Sequence, residues 1–241
     1  VPKIEYNPFE AIKTNVLGSQ NVIDACLKEN VEVAVCIGTD KAVSPGFINM
    51  LSWAYDTLMN DGRSLSDLKQ GVTLEVFGEG TSPGPSGNIE DNTYVSFGEA
   101  MQTLEDNGVS TNIASYLGAT TVRIQEIGYA NRKATDEEME SMRNIVKLAM
   151  EQGAIGIGSS LIYAPADYAD TNELIELSKV ASAYGGRYIS HMRNEDSRIL
   201  SAVDELIEIA EQANIPAEIY HLKASRQSNY HLLDSVISKV E

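Results

Sequence analysis

Apolar residues recur along this chain in two rhythms: short continuous runs, and longer stretches with one apolar face every three or four positions. The second rhythm predicts a helix over Pro8 to Val22, with Ile12, Val16 and Leu17 on one face and Ile23 and Leu27 continuing it. Val31 to Ile37 is a near-continuous apolar run, as expected of a strand buried on both faces, and Gly38-Thr39-Asp40-Lys41 ends it. Pro45-Gly46 is a break, after which Phe47 to Leu51 predicts a second short strand.

From there strands and helices alternate. Helices are expected at Ser64 to Gln70 (Ser64 as cap), Phe97 to Asn107, Asp136 to Gln152, Thr171 to Tyr184 (Thr171 as cap), Ile199 to Ala213 and His231 to Val240. Thr135 caps the third of these, with Glu138 completing a Thr-x-x-Glu box and Met139, Met142 and Val146 as its buried face. Strands are expected at Val72 to Phe77, Thr111 to Tyr116, Ala154 to Ser159, Tyr188 to His191 and Ala217 to His221. Thr81 to Asn92, rich in Pro, Gly and Ser, is a loop, and Asn60, Asp61 and Gly62 are turn formers.

Strand-then-helix units with short links mean an α/β fold with a parallel sheet. Polar groups confined to the carboxyl ends of the strands favour a barrel over a doubly wound sheet. After Gly46 six strands are expected, near positions 48, 74, 113, 156, 189 and 219. About eight close a TIM-like (β/α) barrel, so an incomplete barrel with an open edge is expected, and self-association through that edge with it.

Composition narrows the partners. A formal charge of −17 argues against nucleic acid, whose phosphates need clustered Lys and Arg. No run is apolar for the 18 or so residues of a membrane-spanning helix, and no signal peptide is evident, so no membrane partner is expected. Two cysteines, Cys26 and Cys36, read as small core residues in a reducing compartment, and a cytoplasmic location is the expectation.

The chemistry centres on histidine. Two of the three histidines, His191 and His221, end successive predicted strands, so both side chains are expected at one end of a parallel sheet. Two imidazoles so placed are the usual foundation of a catalytic metal site in a barrel. The third, His231, is expected to be a surface or capping residue, and Tyr163 and Tyr168 flank a strand-end loop.

Several motifs bear on this. Pro45-Gly-Phe-Ile-Asn-Met-Leu-Ser52, Gln70-Gly-Val-Thr73, Gly153-Ala-Ile-Gly156, Ser160-Leu-Ile-Tyr-Ala-Pro165, Ser190-His-Met-Arg193 and His221-Leu-Lys223 occur in order. Over residues 45–241 the chain resembles the amidohydrolase superfamily, in particular its N-acyl-D-amino-acid deacylase (D-aminoacylase) branch. The resemblance implies a metal-dependent hydrolase of linear amides acting on a small N-acylated amino acid. It implies a one-metal Zn²⁺ site held by His191, His221 and Glu79, where Glu79 stands in the place of the branch's cysteine. It also implies Lys223 as a binder of the substrate carboxylate, and Tyr163 is a further candidate for the substrate pocket. Departures are plain: the branch's first-strand His-x-His falls on Leu51 and Trp53, and a histidine is replaced by Ala119. The general base is expected past Glu241, so no catalytic residue is assigned within the chain and weak or no activity is expected.

The first 44 residues point elsewhere. Tyr6-Asn-Pro-Phe-Glu-Ala-Ile-Lys-Thr-Asn-Val-Leu-Gly18 and Gly38-Thr-Asp-Lys-Ala42 resemble the extended short-chain dehydrogenase/reductases, of the nucleotide-sugar 4,6-dehydratase type. Thr39, Asp40 and Lys41 match that group's active-site triplet, but its Gly-x-x-Gly-x-x-Gly and Tyr-x-x-x-Lys motifs are absent from the sequence. The expected organisation is a Rossmann-type helix–strand fragment over 1–44 joined without a linker to a partial amidohydrolase barrel over 45–241, as in a chimera of gene pieces. The alternatives are a fragment of an NAD-dependent nucleotide-sugar 4,6-dehydratase and a non-catalytic barrel fragment that binds an amino-acid-like ligand or another chain.

Overall fold

The computed structural model describes residues 46–88 and 90–240. The helix expected at Pro8 to Val22, the strand at Val31 to Ile37, both cysteines and the Thr39-Asp40-Lys41 triplet lie outside the described residues. The described elements are β1 (Phe47–Asn49), α1 (Tyr55–Asn60), α2 (Leu65–Lys69), β2 (Val72–Phe77), α3 (Phe97–Asn107), β3 (Asn112–Ser115) and β4 (Leu117–Gly118). They continue as α4 (Ala119–Ile127), α5 (Asp136–Glu151), β5 (Gly156–Ser160), α6 (Thr171–Ala183), β6 (Arg187–His191), α7 (Ile199–Ala213), β7 (Ala217–Ile219) and α8 (Leu233–Val240).

Among the described residues every pairing between the named strands is parallel. β1, β2 and β3 form one sheet in that order; β4, β5, β6 and β7 form the other. Only Tyr116 separates β3 from β4, and its N–H reaches back to the Phe77 carbonyl at 3.0 Å. The expected strand Thr111 to Tyr116 is thus β3, and the chain runs on past Tyr116 into β4, which serves the other sheet. Pairing runs to the carboxyl ends, where Ser160 lies opposite His191 and Phe77 opposite Ser115.

The larger sheet is covered by α4 to α8, whose apolar faces meet in one core. α5 shows why a polar-rich helix belongs there. Its face of Met142, Ile145, Val146 and Ala149 is buried, and each large side chain sequestered contributes about 1.5–3 kcal/mol. Thr135 Oγ1 accepts the Glu138 N–H, and the Glu138 carboxylate accepts the Thr135 N–H, so the capping box forms as expected. The glutamates of its outer face stay in solvent.

Some local expectations need correction. Ser64 does not cap α2: its backbone is left-handed (φ 44°) and its hydroxyl instead meets Thr111 Oγ1 at 3.2 Å. Asp170, not Thr171, caps α6, because its carboxylate is placed to accept the Glu173 N–H at 2.9 Å. β1 ends at Asn49 rather than Leu51, since the Asn49 side chain turns to take the Leu51 N–H. β7 ends at Ile219, leaving His221 on the loop beyond it. α1 and α4 had no counterpart in the sequence reading. α1 buries only Leu58, and α4 hides Thr120 and Arg123 within its buried face, so neither shows an apolar period. Arg123 is kept there by Glu173 at 2.5 Å and by the carbonyl of Arg132. No helix among the described residues is long and apolar enough to cross a membrane.

Candidate metal centre

Three side chains from three different strand ends converge. Glu79 follows β2, His191 is the last residue of β6, and His221 lies just past β7. One donor atom from each lies within 4.8 Å of the other two. His191 Nδ1 is 2.8 Å from Glu79 Oε1, and His221 Nε2 is 3.7 Å from the same oxygen. The two imidazoles meet edge to face, with ring centroids 4.3 Å apart.

The backbone at Glu79 is built to bring it there. Gly78 (φ +108°) and Gly80 (φ +76°) flank it in conformations that only glycine adopts readily. A Cβ on Gly78 would lie 2.4 Å from the Tyr116 carbonyl oxygen, and one on Gly80 would lie 2.7 Å from Ser160 Cβ. The chain therefore passes tightly between β3 and β5 and delivers the carboxylate to the sheet end. Burial pushes the Glu79 carboxyl up, but hydrogen bonds from His191 and Trp53 and the charge of the two imidazoles outweigh it. The group sits below its ordinary range.

Glu79 and His191 are buried, while His221 is partly exposed and forms the solvent side of the cluster. His191 Nε2 is buried with no hydrogen-bond partner. That nitrogen lies 3.5 Å from Glu195 Oε1, whereas Nδ1 of the same ring faces Glu79. Two imidazoles and a carboxylate are also the donor types zinc accepts, and about 2.1 Å bonds in tetrahedral array need donors about 3.4 Å apart. The observed spacings bracket that value, so the residues fit a single divalent metal.

The other expected site residues surround this cluster. Lys223 Nζ is 3.0 Å from Glu195 Oε2 and half in solvent. Tyr163 is exposed and sets the edge of its ring against His191, centroids 5.4 Å apart. Trp53 occupies one of the two first-strand positions, and its indole Nε1 donates to Glu79 Oε2 at 2.7 Å. Ala119 is buried as the first residue of α4, and His231 is exposed in the 3-10 turn Gln227–Leu232.

One residue escaped the sequence reading. Glu195 is buried, and its Oε1 lies 2.8 Å from His221 Nδ1 and 3.5 Å from His191 Nε2. The available signal was a carboxylate four residues after a strand-end histidine. Its importance depends on the loop after β6 folding against the loop after β7, where Ser225 N–H meets the Glu195 carbonyl at 2.6 Å.

The D-aminoacylase of Alcaligenes xylosoxydans is 30% identical over 220 residues, covering 86% of this chain and 44% of that protein. A solved D-aminoacylase structure, described for its binuclear metal center, superposes with a TM-score of 0.72 at 26% identity, over 80% of this chain and 44% of that one. The model of a family described as polysaccharide biosynthesis protein matches residues 1–56. Within that stretch a UDP-N-acetylglucosamine 4,6-dehydratase of Campylobacter jejuni is 56% identical over 45 residues, 19% of this chain and 14% of that protein. The chain therefore spans less than half the length of the D-aminoacylases it matches. Homology to the D-aminoacylase amidohydrolases covers most of the chain, and a dehydratase-like segment precedes it.

Proposed function

We propose that residues 45–241 form part of a metal-dependent hydrolase that cleaves the amide of a small N-acylated D-amino acid. The observation carrying this reading is the convergence of Glu79, His191 and His221 at one end of a parallel α/β fold similar to D-aminoacylase. In the same reading the two sheets are an incomplete (β/α) barrel, residues 1–44 are a separate dehydratase-type piece, and the metal is zinc. The scarcity of cysteine is in keeping with work in a reducing cytoplasm.

Each residue has a task in this scheme. Glu79, His191 and His221 hold the metal, which when bound supplies Lewis-acid polarisation of the amide carbonyl and acidifies water. Glu79 brings negative charge that a neutral ligand set would lack, and Trp53 keeps its second oxygen occupied. Lys223, at the exposed rim, attracts the substrate carboxylate in exchange for part of its bond to Glu195. Tyr163 offers an aromatic wall beside His191 for the acyl or side-chain group. Glu79 is engaged by Trp53 and His191, and Glu195 Oε2 by Lys223, and neither is assigned as the general base. Turnover by the 241-residue chain is accordingly expected to be low. The short β1 edge, with Phe47 and Ile48 exposed, offers a route to self-association.

The test is metal content. The purified chain, dialysed against Zn²⁺ and then metal-free buffer, should retain close to one equivalent by elemental analysis, and His191→Ala should retain almost none. Equal, negligible zinc in both proteins would sink the metal reading and leave a non-catalytic fragment. A parallel assay with N-acetyl-D-amino acids reports turnover, and robust hydrolysis would contradict the low activity expected.

A further inference from the structure

We infer that Glu75 is a positioning residue: through Ser52 it fixes the turn that carries Trp53, and so holds the indole against Glu79. The bearing of this on a metal rests on the site proposed above; the placement of Trp53 does not. Along β2, Leu74 and Val76 lie on one face with Tyr116 and Ile189, whereas Glu75 and Phe77 point to the other. Glu75 therefore enters the layer where Phe77 meets Leu58 and Leu104, and it is wholly buried there. Both of its oxygens are bonded, and both partners are hydroxyls rather than cations. Ser52 Oγ donates to Oε2 at 2.7 Å, and Thr111 Oγ1 donates to Oε1 at 2.9 Å.

A buried carboxylate without a cation beside it costs free energy that an apolar side chain of similar size does not. What it supplies here is a direction for each hydrogen bond. The single Ser52 hydroxyl proton goes to Glu75, so the oxygen is left to accept the Ala54 N–H at 3.2 Å. The Ser52 N–H meets the Val76 carbonyl at 2.9 Å, which anchors that residue to β2. Trp53 thus lies between a fixed Ser52 and an Ala54 tied back to the Ser52 hydroxyl. From this turn the indole N–H reaches Glu79 Oε2 at 2.7 Å, although the side chain is 61% exposed. A side chain with so little packing takes its aim from the backbone beneath it. The second branch runs the other way. The Thr111 proton is spent on Glu75, so Ser64 Oγ, 3.2 Å away, donates to Thr111. That branch leads away from Trp53 and serves as an internal control.

Trp53 is the single tryptophan of the chain, so one indole N–H resonance in ¹H–¹⁵N spectra reports its bond to Glu79. The metal-free full chain is compared with Glu79→Ala, which sets the position of an unbonded indole. Ser52→Ala and Glu75→Leu should both move the resonance to that position. Thr111→Val, which removes the other bond to the same carboxylate, should lower the urea midpoint yet leave the resonance in place. Co²⁺ affinity of Ser52→Ala, read from the visible spectrum of the bound ion, should be weaker by about 10-fold. A resonance that stays put in Ser52→Ala, or one that moves equally in Thr111→Val, would overturn the inference. So would a Co²⁺ affinity within twofold of the wild type. A wild-type chain that binds no Co²⁺, while Ser52→Ala still frees the indole, would overturn the metal reading alone. Circular dichroism of Ser52→Ala separates a freed indole from a misfolded chain, and a folded Ser52→Ala decides the matter even where Glu75→Leu does not fold.

Discussion

Trp53 donates its indole N–H to Glu79 Oε2 at 2.7 Å, from a position where the resemblance to the deacylase branch leads one to expect a metal-binding histidine. That bond occupies one Glu79 oxygen and leaves the other for the histidines, which in the proposed reading suits a single metal.

Returning an imidazole to this position should change the metal count. Trp53→His is expected to raise bound zinc above one equivalent under conditions where the wild type holds one. Elemental analysis decides it, and an unchanged ratio would show that Leu51 or the local backbone is the true obstacle.

Gly78 sets the approach of Glu79. Gly78→Ala meets both a φ of +108° and the Tyr116 carbonyl at 2.4 Å. A cost of about 2 kcal/mol or more in urea unfolding is expected, together with weaker metal retention. Wild-type stability in the alanine variant would mean that the turn relaxes freely.

The buried pair Arg123–Glu173 offers an energetic test away from the site. Burial pushes the Glu173 carboxyl up, and the Arg123 guanidinium, 2.5 Å away, opposes that shift. Arg123→Met strands the acid and should cost about 3–5 kcal/mol, whereas Arg123→Met with Glu173→Leu should recover most of the loss. Denaturant midpoints of the single and double variants measure both. Equal losses would argue that Arg123 acts through its carbonyl contacts.

Acid should release the cap of α5. Hydrogen bonding to Arg132 and to the Thr135 N–H lowers the Glu138 carboxyl from its ordinary 4.5 to about 2. A depressed folded value means the stabilisation is complete above about pH 4.5 and is lost as pH falls toward 2. The difference in urea midpoint between wild type and Glu138→Gln should therefore be present at pH 7 and shrink by pH 3. A gap of constant size would show that Glu138 acts by shape alone.

Hydrophobic period and cap chemistry are local properties. That is why the sequence determined most of the alternation of strands and helices after Gly46, though not α1, β4 or α4, together with the capping box at Thr135–Glu138 and the buried face of α5. It also marked Glu79, His191 and His221, because a histidine at a strand end and a carboxylate between two glycines are legible in a few residues. Tertiary structure alone decided the rest. Tyr116, bonded to Phe77, a partner 39 residues away, separates β3 from β4, which belong to different sheets. Arg123 is buried only because Glu173, 50 residues later, neutralises it. Glu195 and Trp53 stand beside the Glu79–His191–His221 cluster because separate loops fold over one sheet end. Their placement comes from polar groups meeting across space, and no pattern along the chain encodes that distance.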